Sequence, residues 1–439
     1  MTRFLFVDNF RGFTNTYIPL ADVNFFVGEN SSGKTSILSL LKLLSTNQFS
    51  WQLKFSTGDV NFGHFRDMVS AHSKDRNYFS FGVIDEYQRD NRREVTAMLY
   101  TFVEHDEGLA RLSKFAAIVG QRQIFLRFDG NKAYFKAQAL HSDLTVNSFR
   151  NTIMPYWAEE RSSDLSGYRP VIESPGYPGQ ERPLFVPLMQ AATLAHAPGE
   201  VGVADHPALH FGGQELVWIA PIRTKPQRTY DDPSQSDFSP EGQHTPYLIR
   251  RVSQPGTDTQ KAFESFMGRA GKSSGLFESI EIKRYGDQND VTAPFEVDAV
   301  LDGTPLSLIN LGYGVSQSLP VFVEIVTRPP GSCFAIQQPE VHLHPRAQAA
   351  LGDAFFDMAV RHNKRFMIET HSDFTIDRFR MNYRKRGRKP SSQILFFERR
   401  NKRNTVSPLV ISPAGELPAD QPESYRKFFV KEQLELLGL

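Results

Sequence analysis

The chain opens with short apolar runs separated by polar turns: Phe4-Leu5-Phe6-Val7, the turn segment Asn9-Phe10-Arg11-Gly12-Phe13, then Tyr17-Ile18-Pro19-Leu20. A β-prone run, Val23-Asn24-Phe25-Phe26-Val27, gives way to apolar positions at helical spacing, Ile37, Leu38, Leu40, Leu41 and Leu44, which predicts a strand followed by a helix. From 76 to 136 apolar and polar residues alternate, as in Tyr78-Phe79-Ser80-Phe81-Gly82-Val83 and Gln123-Ile124-Phe125-Leu126-Arg127-Phe128, the pattern of antiparallel strands. Between 137 and 212 periodicity fails and Pro, Gly and Ser accumulate, so an irregular insertion or lid is expected, without the heptads of a coiled-coil arm. Strand character resumes at Val217–Arg223, ahead of a polar loop through Gln243. From residue 293 the pattern is that of a parallel α/β sheet. It comprises a strand from Pro294 to Leu301, a helix from Gln317 to Thr327, a buried strand Cys333–Ile336, a helix from Pro345 to His362 and a strand Arg365–Glu369. Ile394–Phe397 and Val406–Ile411 read as closing strands. The expected fold is therefore α/β: a mixed or antiparallel N-terminal lobe over 1–136, an insertion over 137–212, and a parallel α/β C-terminal lobe over 213–439.

The junction of the first predicted strand and helix carries chemistry. Gly28-Glu29-Asn30-Ser31-Ser32-Gly33-Lys34-Thr35 is Gly-x-x-x-x-Gly-Lys-Thr in its required setting of strand, glycine turn and helix N-terminus. Gly28 and Gly33 let the backbone turn tightly, and the N–H groups of Asn30, Ser31, Ser32 and Ser36 with the helix dipole face an anion. Lys34 is expected to reach the β- and γ-phosphates and the Thr35 hydroxyl to bind Mg²⁺. The chain is expected to bind a nucleotide.

Composition adds bounds. With 439 residues there is ample chain for two or three core-forming lobes. Fifty basic against 49 acidic residues give no overall pull towards nucleic acid, so any such binding requires a local patch. The single cysteine, Cys333, excludes an internal disulfide and a cysteine-based zinc site and fits a reducing cytoplasm. No leader and no apolar run of about 18 residues or more is seen, so a soluble, cytoplasmic protein without membrane contact is expected.

Three later motifs stand where an ATPase needs them. Asn310-Leu311-Gly312-Tyr313-Gly314-Val315-Ser316-Gln317 is a glycine turn opening a helix, able to present N–H groups and the Ser316 hydroxyl to a second phosphate group. Ile336-Gln337-Gln338-Pro339-Glu340-Val341-His342-Leu343-His344-Pro345 follows a buried strand, where metal and water ligands belong. Glu369-Thr370-His371-Ser372 ends the next strand. With Asn9–Phe13 and the phosphate loop, this set resembles the ABC-type ATPases of the RecF, SMC and OLD-like group, in the coiled-coil-free bacterial branch called AAA-family ATPase. Gly63-His64-Phe65-Arg66-Asp67-Met68-Val69 is similar to its Q-loop region. Ala220-Pro221-Ile222-Arg223, with Arg228-Thr229-Tyr230 and Ser239-Pro240-Glu241-Gly242, is similar to its central proline–arginine block.

The resemblance implies ATP and Mg²⁺ as cofactors, and makes Gly312, Gly314, Ser316 and Gln317 the signature loop that completes the ATP site of a second copy. It also implies a homo-oligomer, a switch role for His371 at the γ-phosphate, and the D-loop position for Leu343-His344. His342 and His344 read as packing residues or as a His-x-His metal pair. The departure is Gln337-Gln338, where the family has an acidic Mg²⁺ partner and often the glutamate that activates water. Glutamine orients a water but cannot take its proton, so binding is expected to survive with weak hydrolysis. That assigns Gln337 to the metal and Gln338 to the water, with Glu340 or Glu369 as the replacement carboxylate.

OLD-family relatives carry a Toprim nuclease domain, for which the 67 residues after Ser372 (439 − 372) are too few. A separate effector, a nuclease, is expected instead, in a bacterial antiphage defence or DNA-transaction complex; the alternative is a RecF-type repair ATPase that binds DNA directly. Arg378, Arg380, Arg384, Lys385, Arg386, Arg388, Lys389, Arg399, Arg400, Lys402 and Arg403 face one acid, Glu398, within 26 residues (403 − 378 + 1). This stretch reads either as a solvated helix end or as a patch for nucleic acid or an acidic partner.

Overall fold

The computed structural model describes residues 2–89, 92–119, 122–129, 132–140, 145–154, 157, 165–171, 215–286, 293–385 and 387–429. Most of the expected insertion, and Arg386 of the basic stretch, lie outside these residues. Two compact units emerge, one formed by Met1–Ala21, Glu29–Glu215 and Phe397–Val406, the other by Asp22–Gly28, Leu216–Phe396 and Ser407–Leu439.

The first unit carries an antiparallel sheet. β1 (Thr2–Asp8) pairs with β2 (Thr16–Leu20), while β3 (Val23–Gly28) belongs to the second unit. The sheet continues through β4 (Tyr78–Arg89), β5 (Arg92–Glu104), β6 (Ala110–Val119), β7 (Arg122–Asp129), β8 (Lys132–Ala139) and the short β9 (Arg169–Pro170), in the order β2-β1-β4-β5-β6-β7-β8-β9. The alternation expected over 76–136 is therefore realised as antiparallel strands. Cross-strand aromatic partners fix the register: Phe79 lies opposite Phe102 with ring centroids 5.3 Å apart, and Phe81 lies opposite Tyr100. One face buries these rings with Phe10, Phe55 and Phe62. Ile84, Val95, Ala97, Ile118 and Phe125 pack in a cluster with Phe149 and Trp157. Trp157 anchors its segment by donating Nε1–H to Gln123 Oε1 at 2.9 Å. Following the phosphate loop, α1 (Lys34–Leu44) belongs to this unit and buries Ile37, Leu38, Leu40, Leu41 and Leu44.

The second unit is built on the sheet ordered β10-β14-β15-β3-β16-β17. Its remaining members are β10 (Val217–Ile219), β14 (Cys333–Gln337), β15 (Arg365–Glu369), β16 (Ser392–Arg400) and β17 (Arg403–Val410), of which the hairpin end Phe397–Val406 is counted with the first unit. β10, β14, β15 and β3 run parallel, and every residue of β3 and β14 is buried, as the unbroken apolar runs require. Helices α2 (Thr245–Val252), α3 (Asp258–Ser274), α4 (Tyr313–Thr327), α5 (Pro345–His362) and α6 (Asp373–Met381) surround it, burying Phe266, Phe322, Leu351, Phe355 and Phe379 in one core. The expected α/β class holds.

One element departs from expectation. The strand read at Pro294–Leu301 is β12 (Phe295–Leu301), and it lies in a separate antiparallel sheet between β11 (Ser279–Arg284) and β13 (Thr304–Ser307), not in the parallel one. The cause is local: Asp302 and Gly303 take φ of 48° and 71°, the two-residue loop of a tight hairpin, which leaves no room for a crossover helix.

α5 meets α6 at Gly352, where an added Cβ would stand 2.3 Å from the Thr375 carbonyl and 2.9 Å from the Phe379 nitrogen. Backbone cannot yield as a flexible side chain does, so Gly352→Ala is expected to cost about 2–3 kcal/mol and lower the melting temperature in a thermal scan. An unchanged melting temperature would contradict this packing. No helix among the described residues is long and apolar enough to cross a membrane.

Candidate functional site

β3 feeds the phosphate loop. It lies beside β15, with Phe26 opposite Glu369, and the Thr370 N–H donates to Phe26 O at 3.1 Å, so the strand that opens the loop ends next to Glu369-Thr370-His371. The chain then turns through Gly28, Ser31 and Gly33 at φ of 145°, 61° and 95°. Gly33 is the N-cap of α1 and supplies no side-chain cap bond, and the helix dipole there favours an anion. Ser32 Oγ and Lys34 Nζ both donate to Glu29 O at 2.7 Å, folding the loop on itself. Lys34 is 4% exposed, whereas Asn30, Ser31 and Thr35 face solvent and Ser36 is half-buried.

The ends of β14 and β15 gather the second set of residues. Gln337 is buried and donates Nε2–H to Glu369 Oε2 at 3.2 Å. Gln338 has a left-handed backbone, φ 42°, held by its N–H donating to Glu369 O at 2.7 Å. Glu340 accepts the His371 N–H on Oε1 at 2.7 Å. Its Oε2 is shut off from solvent and has no hydrogen-bond partner. Arg223, on the segment after β10, donates Nη2–H to Gln337 O at 3.1 Å, while its Nε and Nη1 are buried and unpartnered. Burial raises the Glu340 pKa, against the pull of the His371 N–H, the Thr370 hydroxyl and the Arg223 charge. Burial also lowers Arg223 to about 10, with Glu340 opposing. One acceptor and two donors at this site thus have unmet bonding capacity. Thr35 in the first unit, and Gln337 and Glu369 in the second, each carry a hard oxygen donor of the kind that suits Mg²⁺.

The glycine turn before α4 is divided in its exposure. Gly312 and Tyr313 are open to solvent and Gly314 is half-buried. Ser316 is buried with its hydroxyl on Tyr313 O, and the Gln317 amide is engaged by the N–H and carbonyl of Arg223 at 3.3 Å each. Further along α4, Glu324 is buried against His244 and Arg328. The Ser239 N–H donates to His244 Nδ1, which leaves Nε2–H to donate to Glu324 Oε1 at 2.6 Å. Burial pushes the Glu324 pKa up, yet the bonds from His244 and Arg328 outweigh it and hold it low. This pair ties the proline–arginine block to α4.

The remaining residues separate clearly. His342, at φ 64°, packs on Tyr313 with ring centroids 5.6 Å apart, and exposed His344 caps α5. Among the described residues no three His, Cys, Asp or Glu gather as metal ligands. Gly63–Val69 contains a short helix, Phe65–Met68, whose Met68 O accepts the Arg11 N–H at 2.8 Å, so it braces the Asn9–Phe13 turn. The basic stretch is not continuous. Arg378 and Arg380 pair with Asp353 and Asp377. Arg384, Lys385, Arg388 and Lys389 are exposed before β16, while Arg399, Arg400, Lys402 and Arg403 are exposed at its other end. The strand residues 392–398 lie between the two groups along the chain. Arg223, which touches the end of β14, was missed by sequence reasoning as a candidate site residue, although it lay in a quoted motif.

Comparison with known proteins gives these findings. The profile of the AAA ATPase domain family matches residues 1–110 and 241–376. The SMC head domain from Thermotoga maritima is similar at 10% identity and a TM-score of 0.40, covering 93% of this chain and 98% of that one. The recombination mediator RecF, of the RecFOR pathway, is similar at 9% identity and a TM-score of 0.30, covering 92% and 98%. No curated protein matches.

Proposed function

This chain belongs to the AAA ATPase domain family, and we propose that it acts as an ATP-held regulatory subunit that turns ATP over slowly. Gln337-Gln338 carries this reading, because amides stand at the end of β14 where a fast hydrolase requires carboxylates. Lys34 and the loop N–H groups from Asn30 to Ser36 hold the phosphates. Thr35 on the loop would offer its hydroxyl to Mg²⁺, and Gln337 beside Glu369 would offer oxygens in place of the family's acidic partner; the ion, when bound, would neutralise phosphate charge. Gln338 orients the attacking water, His371 contacts the γ-phosphate, and Glu340 takes the water's proton on its free oxygen. The turn at Gly312–Gly314, exposed at Gly312 and Tyr313, meets the nucleotide of a second copy, with Ser316 and Gln317 holding the turn in place. Light scattering with and without Mg²⁺–ATP is expected to show a dimer or larger assembly only with nucleotide; an unchanged mass would count against shared sites.

A state held by slow hydrolysis suits a sensor or scaffold that controls a separate effector, a nuclease, in a bacterial antiphage defence or DNA-transaction complex. The test is restoration of the carboxylate. Gln338→Glu is expected to raise turnover about 100-fold, the scale of a positioned proton acceptor. No increase, with ATP affinity retained, would overturn the assignment of Gln338.

The exposed cations at the β16–β17 turn favour a second reading, a RecF-type ATPase that binds DNA itself. Filter binding to duplex DNA at low salt is expected to retain the DNA, and replacing Arg399, Lys402 and Arg403 with Glu to abolish retention. No retention by the natural protein would remove this reading.

A further inference from the structure

We propose that Asn404, from the C-terminal hairpin, is a positioning residue for the phosphate loop and acts through the Asn9–Phe13 turn; the proposal rests on the nucleotide-binding reading above. Asn401 and Lys402 form the two-residue loop of the β16–β17 hairpin at φ 49° and 66°, and that loop delivers Asn404 to the start of β17. The residue is 7% exposed and stands 393 positions along the chain from Arg11, whose carbonyl it grips. Its Nδ2–H donates to Arg11 O at 2.9 Å, and its backbone N–H donates to Gly12 O at 2.8 Å.

The same amide reaches the nucleotide loop. A Cβ added to Gly33 would stand 2.9 Å from Asn404 Nδ2 and 2.5 Å from the Phe13 ring, so both side chains already touch the last glycine of the loop. A Cβ added to Gly12 would likewise stand 2.9 Å from Asn404 Nδ2. From the other side the turn is held by Arg11 N–H on Met68 O, by Ser70 N–H on Asn9 O at 2.9 Å, and by Gly12 N–H on Ser70 Oγ at 2.9 Å. Phe13 is completely buried and packs edge-on against Phe397 of β16. Gly33, Phe13, Phe397 and Asn404 all belong to the first unit.

The consequence is mechanical. Gly33 sits at φ 95° immediately before Lys34 and Thr35, so a shift of its peptide swings both phosphate- and metal-facing groups. Without the amide of Asn404, Gly33 loses a wall and the Arg11 carbonyl loses a donor. Loop order then has to be supplied by the nucleotide, which weakens apparent binding.

Two variants test this. Asn404→Asp keeps the volume against Gly33 but replaces the donor facing Arg11 O with an acceptor, and Asn404→Ala removes both. Titration with a fluorescent ATP analogue is expected to show Kd raised about 10-fold in each, with exposed neighbour Thr405→Ala unchanged. Hydrogen exchange in the nucleotide-free protein is expected to quicken at 9–13 and 29–36 and to stay unchanged in β4–β7, a pattern that general destabilisation would not give. Kd within twofold of the natural protein in Asn404→Asp, with unchanged exchange at 29–36, would overturn the proposal, and that variant decides if Asn404→Ala fails to fold. Failure of the natural protein to bind ATP would instead overturn the nucleotide-binding reading, while exchange at 29–36 would still judge the clamp.

Discussion

Lys34→Ala raises the Kd for ATP about 100-fold, a loss of about 2.7 kcal/mol. That size follows from losing charge-assisted bonds to phosphate, worth about 1.5–3 kcal/mol each net of water. Lys34 is 4% exposed and holds its ammonium inside the loop through Glu29 O, so the charge is pre-placed and poorly screened. The measurement is a titration with a fluorescent ATP analogue in Mg²⁺, paired with a thermal scan of the nucleotide-free protein. An affinity within about threefold of the natural protein would contradict the assignment of the loop.

Glu340→Gln lowers ATP turnover by about 100-fold or more, with ATP affinity little changed. Glu340 stands apart from the neighbouring Gln337 and Gln338 in being able to take a proton, and its Oε2 has no hydrogen-bond partner. Its folded pKa is raised above the ordinary carboxylate value, chiefly by burial. A base works above its pKa, so turnover is expected to rise with pH along an acid limb whose midpoint lies above 4.5. The limb disappears in Glu340→Gln. The same shift has a stability sign: the native state binds this proton more tightly than the unfolded chain. Its stabilising contribution is thus complete below the unfolded pKa and is lost as pH rises through the raised folded one. A pH–rate profile that keeps its acid limb in Glu340→Gln would assign the proton to another group, with Glu369 the next carboxylate in the site.

The parts of this molecule that sequence made legible are those where one local pattern decides the outcome. Gly28–Thr35 and the parallel strands Cys333–Gln337 and Arg365–Glu369 combine apolar runs with glycine or turn chemistry, and each forms as expected. Pairing partners were less legible. The Phe295–Leu301 run has the apolar character of a parallel strand, and Asp302-Gly303 alone betrays its hairpin. The basic stretch looked continuous because sequence counts residues, whereas β16 carries its two ends apart. Glu340 and Glu369 were equal candidates in sequence; the structure distinguishes them, since Gln337 occupies one oxygen of Glu369 while Glu340 keeps Oε2 free. Asn404 gave no signal, because its role arises from a contact with residues near the opposite end of the chain.

The function proposed for this chain is to hold ATP firmly and to hydrolyse it slowly. Steady-state phosphate release at saturating Mg²⁺–ATP, from protein shown by titration to bind the nucleotide, tests it most directly. The expected turnover lies below about 1 s⁻¹, under the ordinary range of enzymes. Saturable binding with turnover well above about 1 s⁻¹ would contradict the claim and return Gln337-Gln338 to the competent hydrolases.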